Sequence, residues 1–200
     1  MSRKNLETRN RIVQASWRML EGGDANAIRM GDIAKEAGIS RQALYLHFPA
    51  RADLLDATAR YLDEYYEIDK RLAASRAAET GIERLDAFIE AWGNYIPKIY
   101  GMAKAFLAMK DSDEAARIAW TSRMEALRHG CRAAIRALNR DGTLSPDHSP
   151  GQAADILWTI LSVRNWEQLR HDCGWSQKRY LSVTKNAARR ILVNEKGAGE

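Results

Sequence analysis

Residues 30–55 read MGDIAKEAGISRQALYLHFPARADLL, and this stretch decides the fold of the region around it. Apolar residues recur at helical spacing up to Ala37, and Gly38 then interrupts the pattern. Gly38 suits a tight turn because glycine takes a positive φ without a Cβ penalty. Ser40 stands where the next helix needs an N-cap, since its hydroxyl can accept a hydrogen bond from an amide two or three residues on. The stretch therefore predicts a helix, a tight turn and a second helix.

The second helix of this motif has one face to bury and one face to expose. Ala43, Leu44 and Phe48 can pack inward, which leaves a polar and aromatic outer face. The residues expected to project outward are Arg41, Gln42, Tyr45, Leu46 and His47. Side chains of these types suit the base edges of the DNA major groove and the backbone phosphates. The pattern favours contact with nucleic acid.

A third helix follows the motif and begins with a cation. Pro49 cannot continue the second helix, and Arg51 falls in the first turn of the next one. A cation in a first helical turn opposes the helix macrodipole, so we expect Arg51 to meet an anion outside the protein. The motif has one alternative explanation, because helical hairpins also occur in all-α cores that never contact DNA.

Three segments of this stretch resemble a known family. They are Asp32–Ser40 (DIAKEAGIS), Ala43–Phe48 (ALYLHF) and Arg51–Leu55 (RADLL). Together they resemble the DNA-binding domain of the TetR family of transcriptional regulators, over about a quarter of the chain. The resemblance implies a helix-turn-helix protein that binds double-stranded DNA.

The resemblance also implies a role for individual positions. It implies that Tyr45 touches the operator backbone, that Arg51 holds a phosphate, and that early residues of the second helix read bases. The candidates for base or groove contact are Arg41, Gln42, Ala43, Leu46 and His47. Two positions depart from the family pattern: Arg29, a further candidate contact, replaces a common phosphate-binding Thr, and Pro49 replaces a common Lys.

Composition places the chain among globular proteins. Two hundred residues, 46% of them hydrophobic and only four of them proline, are enough for one or two compact domains. No apolar run reaches the roughly eighteen residues of a membrane span, and residues 1–11 lack the apolar segment of a signal peptide. We therefore expect a cytoplasmic protein that does not enter a membrane. Cys131 and Cys173 show no metal-ligand spacing, which predicts buried, reduced thiols.

The net charge is +5, and its placement is informative. Residues 1–51 hold nine Lys or Arg against five Asp or Glu, a balance of +4, which leaves +1 for the other 149 residues. The basic excess thus lies on the segment that carries the motif. An ordinary solvated face would show a similar excess, so the charge supports DNA binding only together with the motif.

Helical periodicity continues along the chain, and no stretch alternates with period two for long enough to predict a strand. We predict an all-α fold of about nine helices. A first helix over 5–20 should cover the motif, and a long helix should run from residue 50 to about 74. The remaining helices are predicted over 82–96, around 106, over 118–138, over 153–169 and over 180–193, with Pro97 kinking or loosening its helix.

The second half of the chain carries many aromatic residues at helical spacing. Such residues fill a core by default, and the alternative is a cavity for an apolar or aromatic small molecule. The resemblance implies a DNA-binding domain at 1–50 and a ligand-binding and dimerisation domain at 51–200. It also implies a homodimer formed by the last two long helices. This dimer, most often a repressor, binds a palindromic operator and releases it when the effector binds. The candidate pocket residues are Trp92, Ile96, Phe106, Trp120, Met124 and Trp158.

Two rival classes of function remain to be weighed. An enzyme is disfavoured, because the four histidines form no HExxH or i, i+4 pair, no GxSxG is present, and no glycine-rich phosphate loop follows a strand. Asp147, His148 and Ser149 lie in one loop, where adjacent residues cannot supply triad geometry. We thus predict no catalytic residue, metal or cofactor. The other rival is a helical interaction protein that uses the motif for packing.

Overall fold

The computed structural model describes residues 3–22 and 28–194, and these residues are predominantly helical. The exception to helix, turn and loop within these ranges is one isolated antiparallel bridge between Leu144 and Val193. The all-α prediction is therefore confirmed. The predicted connection between the first helix and the motif falls mostly on residues 23–27, which lie outside the described residues.

The described ranges contain eleven α-helices and one π-helical turn. In chain order they are α1 Arg3–Glu21, α2 Met30–Glu36, α3 Arg41–His47, α4 Arg51–Tyr65, α5 Ile68–Arg71, α6 Ala73–Ala77, α7 Gly81–Met109, α8 Glu114–Arg140, α9 Pro150–Ile160, α10 Val163–Glu167, the π turn Gln168–Asp172, and α11 Gln177–Leu192. The predicted number is close, because the helices beyond it are short segments of four or five residues. Two predicted helices, around 106 and over 82–96, are one continuous α7, and the helix predicted over 153–169 breaks between α9 and α10.

The chain forms two compact units. The first contains Met1–Tyr66 and Ile99–Met124, and the second contains Glu67–Lys98 and Glu125–Glu200. The long helices α7 and α8 each contribute residues to both units.

In the first unit α1 packs against α2 and α4, and α2 packs against α3. The first helix therefore covers the motif, as its apolar stripe predicted. The largest side chains fully buried in this unit are Ile12, Leu20, Ile33, Leu44, Phe48, Leu54, Leu55, Leu62 and Phe106. One polar pair joins α1 to α4 within this core: the hydroxyl of Thr58 lies 3.0 Å from that of Ser16 and also donates to the Leu54 carbonyl at 2.7 Å. Both hydroxyls are thereby satisfied without water.

α4 ends at Tyr65, so the prediction of a helix continuing to about residue 74 is wrong. Glu67 interrupts it with φ 54° and ψ 45°, in the left-handed region. That conformation costs a non-glycine residue about 1–2 kcal/mol, because Cβ comes too close to the following carbonyl oxygen. The polar, strongly helix-forming segment around Glu67 carries no glycine or proline that would have indicated the break.

The core of the second unit is formed by residues of α7, α8, α9 and α11. Its members are Leu85, Phe88, Ile89, Leu127, Cys131, Ala134, Ile135, Leu138, Ala153, Ala154, Leu157, Leu161, Ala188 and Leu192. Burial raises the pKa of the Cys131 thiol to about 12, so this thiol stays protonated. Cys173, in contrast, is exposed, and the prediction of two buried thiols is wrong for it.

α7 runs through Pro97 without ending. Proline has no N–H, so the carbonyl four residues earlier, that of Gly93, lacks its helical donor. The side-chain amide of Gln177 in α11 donates to this carbonyl at 2.9 Å. A Cβ at Gly93 would lie 2.5 Å from a methyl carbon of Leu181, so a larger residue there would require the Leu181 side chain to move. None of the described helices combines the length and apolar composition needed to cross a membrane.

Candidate nucleic-acid interface

The motif predicted from residues 30–55 is present, and local interactions fix it. Gly38 takes φ 67° in the turn, and the next amide, that of Ile39, donates back to the Ala34 carbonyl at 3.0 Å. The Ser40 hydroxyl accepts from the Ala43 amide at 3.1 Å and caps α3. These interactions close α2 and open α3 at defined residues. The direction of the short α3 is thereby set by its own sequence.

α3 and the residue that caps its C-terminus each turn one side chain fully inward. Leu44 and Phe48 are buried, whereas Leu46 is 81% exposed. The structure also leaves Arg41, Gln42 and Tyr45 exposed and half-buries His47. Ala43, for which both an inward and a groove-contacting position were considered, is half-buried. The exposed face therefore offers a guanidinium, an amide, a phenol and an isobutyl group to a partner.

Two neighbouring side chains on this face contact each other. The guanidinium carbon of Arg41 lies 5.6 Å from the centroid of the Tyr45 ring, one helical turn away. This distance falls within the range of a cation–π contact, which is worth about 0.5–1 kcal/mol at an exposed site. Arg41 is therefore partly ordered before any partner arrives.

Arg9 of α1 contributes to the same region in a way that the sequence did not predict. Its guanidinium donates to the His47 carbonyl at 3.0 Å and lies 4.1 Å from the centroid of the Phe48 ring. A cation at a helix C-terminus complements the helix dipole and satisfies a carbonyl that the helix leaves open. Arg9 therefore fixes the end of α3.

A cleft of about 680 Å³ lies beside α3 in the first unit. Its cationic lining residues are Arg29, Arg41 and Arg51, and Tyr45 and the first turn of α2 line it as well. Two carboxylates, those of Asp32 and Asp113, also face it. Three guanidinium groups against two carboxylates leave a positive balance, which suits a phosphate-bearing partner.

Arg51 is engaged inside the protein. Its guanidinium forms an ion pair with Asp113, in the turn between α7 and α8, and lies 3.8 Å from the Met109 sulfur. Asp113 also accepts from the Ala116 amide at 3.1 Å and so caps α8. Burial alone would raise the pKa of Asp113, but the bonds from Ala116 and Arg51 hold that pKa below its usual range. Without DNA, the anion that faces Arg51 is therefore Asp113, and the contact of Arg51 with an external anion stays a prediction.

Further along α4, a second set of polar contacts ties this helix to α8. Arg123 donates to Asp63 at 2.7 Å and to Asp56 at 3.4 Å, and the Ser122 hydroxyl donates to Asp56 at 3.1 Å. Together with the pair of Arg51 and Asp113, these contacts hold α4 at its first turn and along its length. They join residues about sixty positions apart, which sequence periodicity cannot reveal.

The six candidate pocket residues fall in both units. In the second, Trp92 and Trp158 pack against the same core, Ile96 is buried, and the Trp92 indole donates to the Leu161 carbonyl at 2.9 Å. In the first, Phe106 is buried, and Trp120 and Met124 are half-buried. Their role in holding an effector stays a prediction.

The Asp147–Ser149 loop, the one sequence that resembled a catalytic triad, has a structural role. Ser149, from the Asp147–Ser149 sequence, caps α9 by accepting from the Gln152 amide at 3.3 Å. Its hydroxyl thus has a structural partner. The described ranges contain no group of three or more His, Cys, Asp or Glu residues placed to share a metal ion.

The residues of this interface coincide with a family model. Positions 12–58 match the model described as bacterial regulatory proteins, tetR family. Residues 12–58 therefore form a TetR-family DNA-binding domain. The matched segment runs from α1 into α4 and includes all of α2 and α3. A chain that carries this domain is a DNA-binding transcriptional regulator of the helix-turn-helix type, and the expectation drawn from the motif is confirmed.

Individual relatives extend the similarity beyond the motif. The chain is 24% identical to the nucleoid occlusion factor SlmA of Marinomonas sp. over 165 residues, which cover 80% of this chain and 82% of that protein. It is 26% identical to the transcriptional repressor LfrR of Mycolicibacterium smegmatis over 158 residues, 78% and 76% of the two chains. A transcriptional regulator from Saccharomonospora viridis, solved in complex with choline, superposes with a TM-score of 0.73 at 19% identity and covers 94% of this chain and 99% of its own. This likeness shows a shared fold.

Proposed function

We propose that this TetR-family protein is a one-component repressor that binds a palindromic operator as a homodimer and releases it when a small apolar or aromatic ligand binds. One observation carries the proposal: the matched family segment contains a capped α3 whose Arg41, Gln42 and Leu46 face solvent. Exposed side chains of these types on a helix that fits the major groove can read base edges. The relative LfrR, which is a repressor, supports the sign of regulation.

The roles divide between base reading and positioning. Arg41 and Gln42 donate to purine edges, Leu46 contacts a thymine methyl, and Ala43 and His47 lie at the edges of this contact. Tyr45, Arg29 and Arg51 contact phosphates and set the register of α3 on the duplex. Arg9 supports these contacts from behind by holding the His47 carbonyl.

Dimerisation follows from the small size of α3. Seven residues contact too few base pairs for tight specific binding, and a two-fold dimer places two such helices one DNA turn apart. On α11, Val183 and Ile191 are exposed, and the half-buried Ala187 lies between them at a spacing of four. This apolar row, with Ile160 of α9, is the proposed interface. Ile191→Glu should give a folded monomer in sedimentation, and a folded dimer would place the interface elsewhere.

In the proposed function, residues 1–50 bind DNA, and residues 51–200 bind the effector and form the dimer. The protein acts in the cytoplasm. The residues proposed to contact the effector are those that the sequence indicated, Trp92, Ile96, Phe106, Trp120, Met124 and Trp158. The Saccharomonospora viridis protein holds choline, which supports small-molecule binding by this fold. A coupling free energy of about 1–3 kcal/mol would lower operator affinity roughly five- to 150-fold.

Selection from genomic DNA tests the central proposal. The protein is mixed with sheared genomic fragments at moderate salt, and the retained DNA is sequenced. Retained fragments should share a two-fold symmetric sequence, and the double variant Arg41→Ala, Gln42→Ala should fail to enrich it. Arg76→Ala, which removes an exposed arginine paired with Asp69 outside the motif, is the matched control and should enrich the same sequence.

If the protein enriched no sequence and showed no salt-dependent affinity for DNA, the proposal that it is a DNA-binding regulator would be wrong. The motif would then serve packing in a helical interaction protein. No catalytic step enters the proposal, because the one loop that resembled a triad uses its serine as a helix cap.

A further inference from the structure

Arg51 lies where two different anions can bind it, one inside the protein and one on DNA. We propose that Asp113 competes with a DNA phosphate for Arg51, so that operator binding requires this internal ion pair to open. The inference rests on the proposed DNA binding and adds to it a residue, distant from the motif in sequence, that lowers DNA affinity.

The direction of the Arg51 side chain is the first support. One terminal nitrogen donates to Asp113 and the other lies against the Met109 sulfur, while Nε is buried without a hydrogen-bond partner in the structure. The side chain is only 20% exposed. A guanidinium grips a phosphate best with two parallel N–H groups directed at it. Arg51 must therefore turn away from Asp113 before it can hold a phosphate in this way.

The charge of the cleft is the second support. Arg29 and Arg41 line it and are exposed, so their positive charge is available to attract a phosphate. Asp113 lines the same cleft, and its carboxylate would face the incoming phosphate as a like charge. The Asp113 carboxylate therefore weakens phosphate binding in two ways: it occupies Arg51, and it repels the phosphate.

The position of Asp113 gives the competition a regulatory consequence. It caps the first turn of α8 through the Ala116 amide, so its location follows the turn between α7 and α8. Both helices continue from this turn into residues of the second unit. A change that brings Asp113 closer to Arg51 lowers DNA affinity, and one that separates them raises it.

The chain offers a well-matched set of variants. Asp113→Asn removes the competing charge but keeps the α8 cap, because Asn accepts the Ala116 N–H as well as Asp does. Asp111→Asn is the control: it removes the same charge two residues away, and Asp111 is 79% exposed and paired with Lys110 rather than Arg51. Arg51→Ala and the double variant Arg51→Ala, Asp113→Asn complete a cycle. Thermal unfolding checks that all variants remain folded.

Affinity is measured by fluorescence anisotropy for a duplex carrying the genomically selected sequence and for a scrambled duplex, across about 50–300 mM salt. Asp113→Asn should bind both duplexes about threefold to tenfold more tightly per subunit and show a salt slope steeper by up to about one unit per subunit. Asp111→Asn should change affinity by less than about twofold, because it opens no pair with Arg51. In the Arg51→Ala background, Asp113→Asn should have no more effect than Asp111→Asn.

The outcomes separate this inference from the proposed function. A wild-type protein that binds neither duplex overturns both. If the wild type binds but Asp113→Asn binds equally or more weakly, Asp113 merely holds Arg51 in place or is irrelevant, and the competition alone is refuted. An equal gain from Asp111→Asn, or a gain that persists without Arg51, also refutes it by showing a general charge effect.

Discussion

The helices α3 and α11 use their polar side chains in opposite ways. α3 is seven residues long, and it presents the polar side chains of Arg41 and Gln42 to solvent. α11 is sixteen residues long, and its Lys185 and Arg189 form ion pairs with Glu90 and Asp86 of α7. The side chains of α3 are thus free to meet another molecule, whereas those of α11 hold its own unit together.

The comparison shows why an amphipathic pattern alone does not distinguish a helix that binds a partner from a helix that packs within its own protein. Both helices alternate apolar and polar faces, and both begin with a serine cap, Ser40 and Ser176. The difference lies in what stands opposite the polar face. For α11 it is the acidic side of α7, and for α3 it is solvent.

The largest expected effect contrasts two leucines of α3. Leu44→Ala should lower the free energy of unfolding by about 2–5 kcal/mol, because Leu44 is fully buried and its truncation leaves a cavity. Leu46→Ala, two residues on, should change stability by less than about 0.5 kcal/mol while weakening operator binding. Urea unfolding and DNA titration of both variants check this contrast. Equal destabilisation by the two substitutions would contradict the division of α3 into inner and outer faces.

The next prediction removes the polar joint of α11. Gln177 donates to the Gly93 carbonyl and accepts from the Trp166 indole at 3.1 Å. Gln177→Met keeps the side-chain length but leaves both groups without that partner, at a cost of about 2–4 kcal/mol in unfolding free energy. Lys178→Met, at an exposed position beside it, is the matched control and should stay within about 0.5 kcal/mol. A Gln177→Met variant as stable as wild type would show that water replaces the amide.

A smaller effect should appear in the DNA rather than in the protein. If Leu46 contacts a thymine methyl, replacing that thymine with deoxyuridine removes only the methyl and should cost about threefold to tenfold in affinity. The same replacement should leave the affinity of Leu46→Ala unchanged. Anisotropy titrations with one thymine replaced at a time identify the position. A wild-type protein indifferent to every replacement would leave Leu46 without a base partner.

The smallest expected effect concerns pH and the ion pairs of α11. The hydrogen bond from Lys185 is the main cause that lowers the pKa of Glu90, against a smaller opposing effect of burial. A lowered folded-state pKa gives stability that is present above the unfolded pKa, about 4.3, and is lost as pH falls through the folded value. Wild type should therefore lose more unfolding free energy than Glu90→Gln between about pH 6 and pH 3. Parallel pH profiles would mean that solvent screens the pair fully.

The residues that sequence reasoning located are those with local determinants. Gly38 and Ser40 define the turn and the cap of α3 within a few positions, and the apolar spacing of α1 and α11 fixes their inner faces. The contacts that it missed connect distant positions, such as Arg51 with Asp113 and Gln177 with Gly93. The Asp before α8 could have been recognised as a cap, but not as the partner of an arginine. The break at Glu67 was missed because no glycine or proline marks it, and Glu itself disfavours the left-handed conformation that it adopts.

Pro97 leaves α7 with one free carbonyl that sets its alignment with α11. Along a regular helix every interior carbonyl is occupied by the amide four residues on, so one turn of its backbone looks like the next to a neighbouring helix. Because Pro97 lacks an amide, the Gly93 carbonyl is left open, and Gln177 of α11 binds it. A shift of α11 by one helical turn, about 5.4 Å, would leave this acceptor empty. Pro97→Ala would restore the helical hydrogen bond to the Gly93 carbonyl and so remove the free acceptor. The proline therefore favours one alignment of α7 and α11 over alignments shifted by a turn.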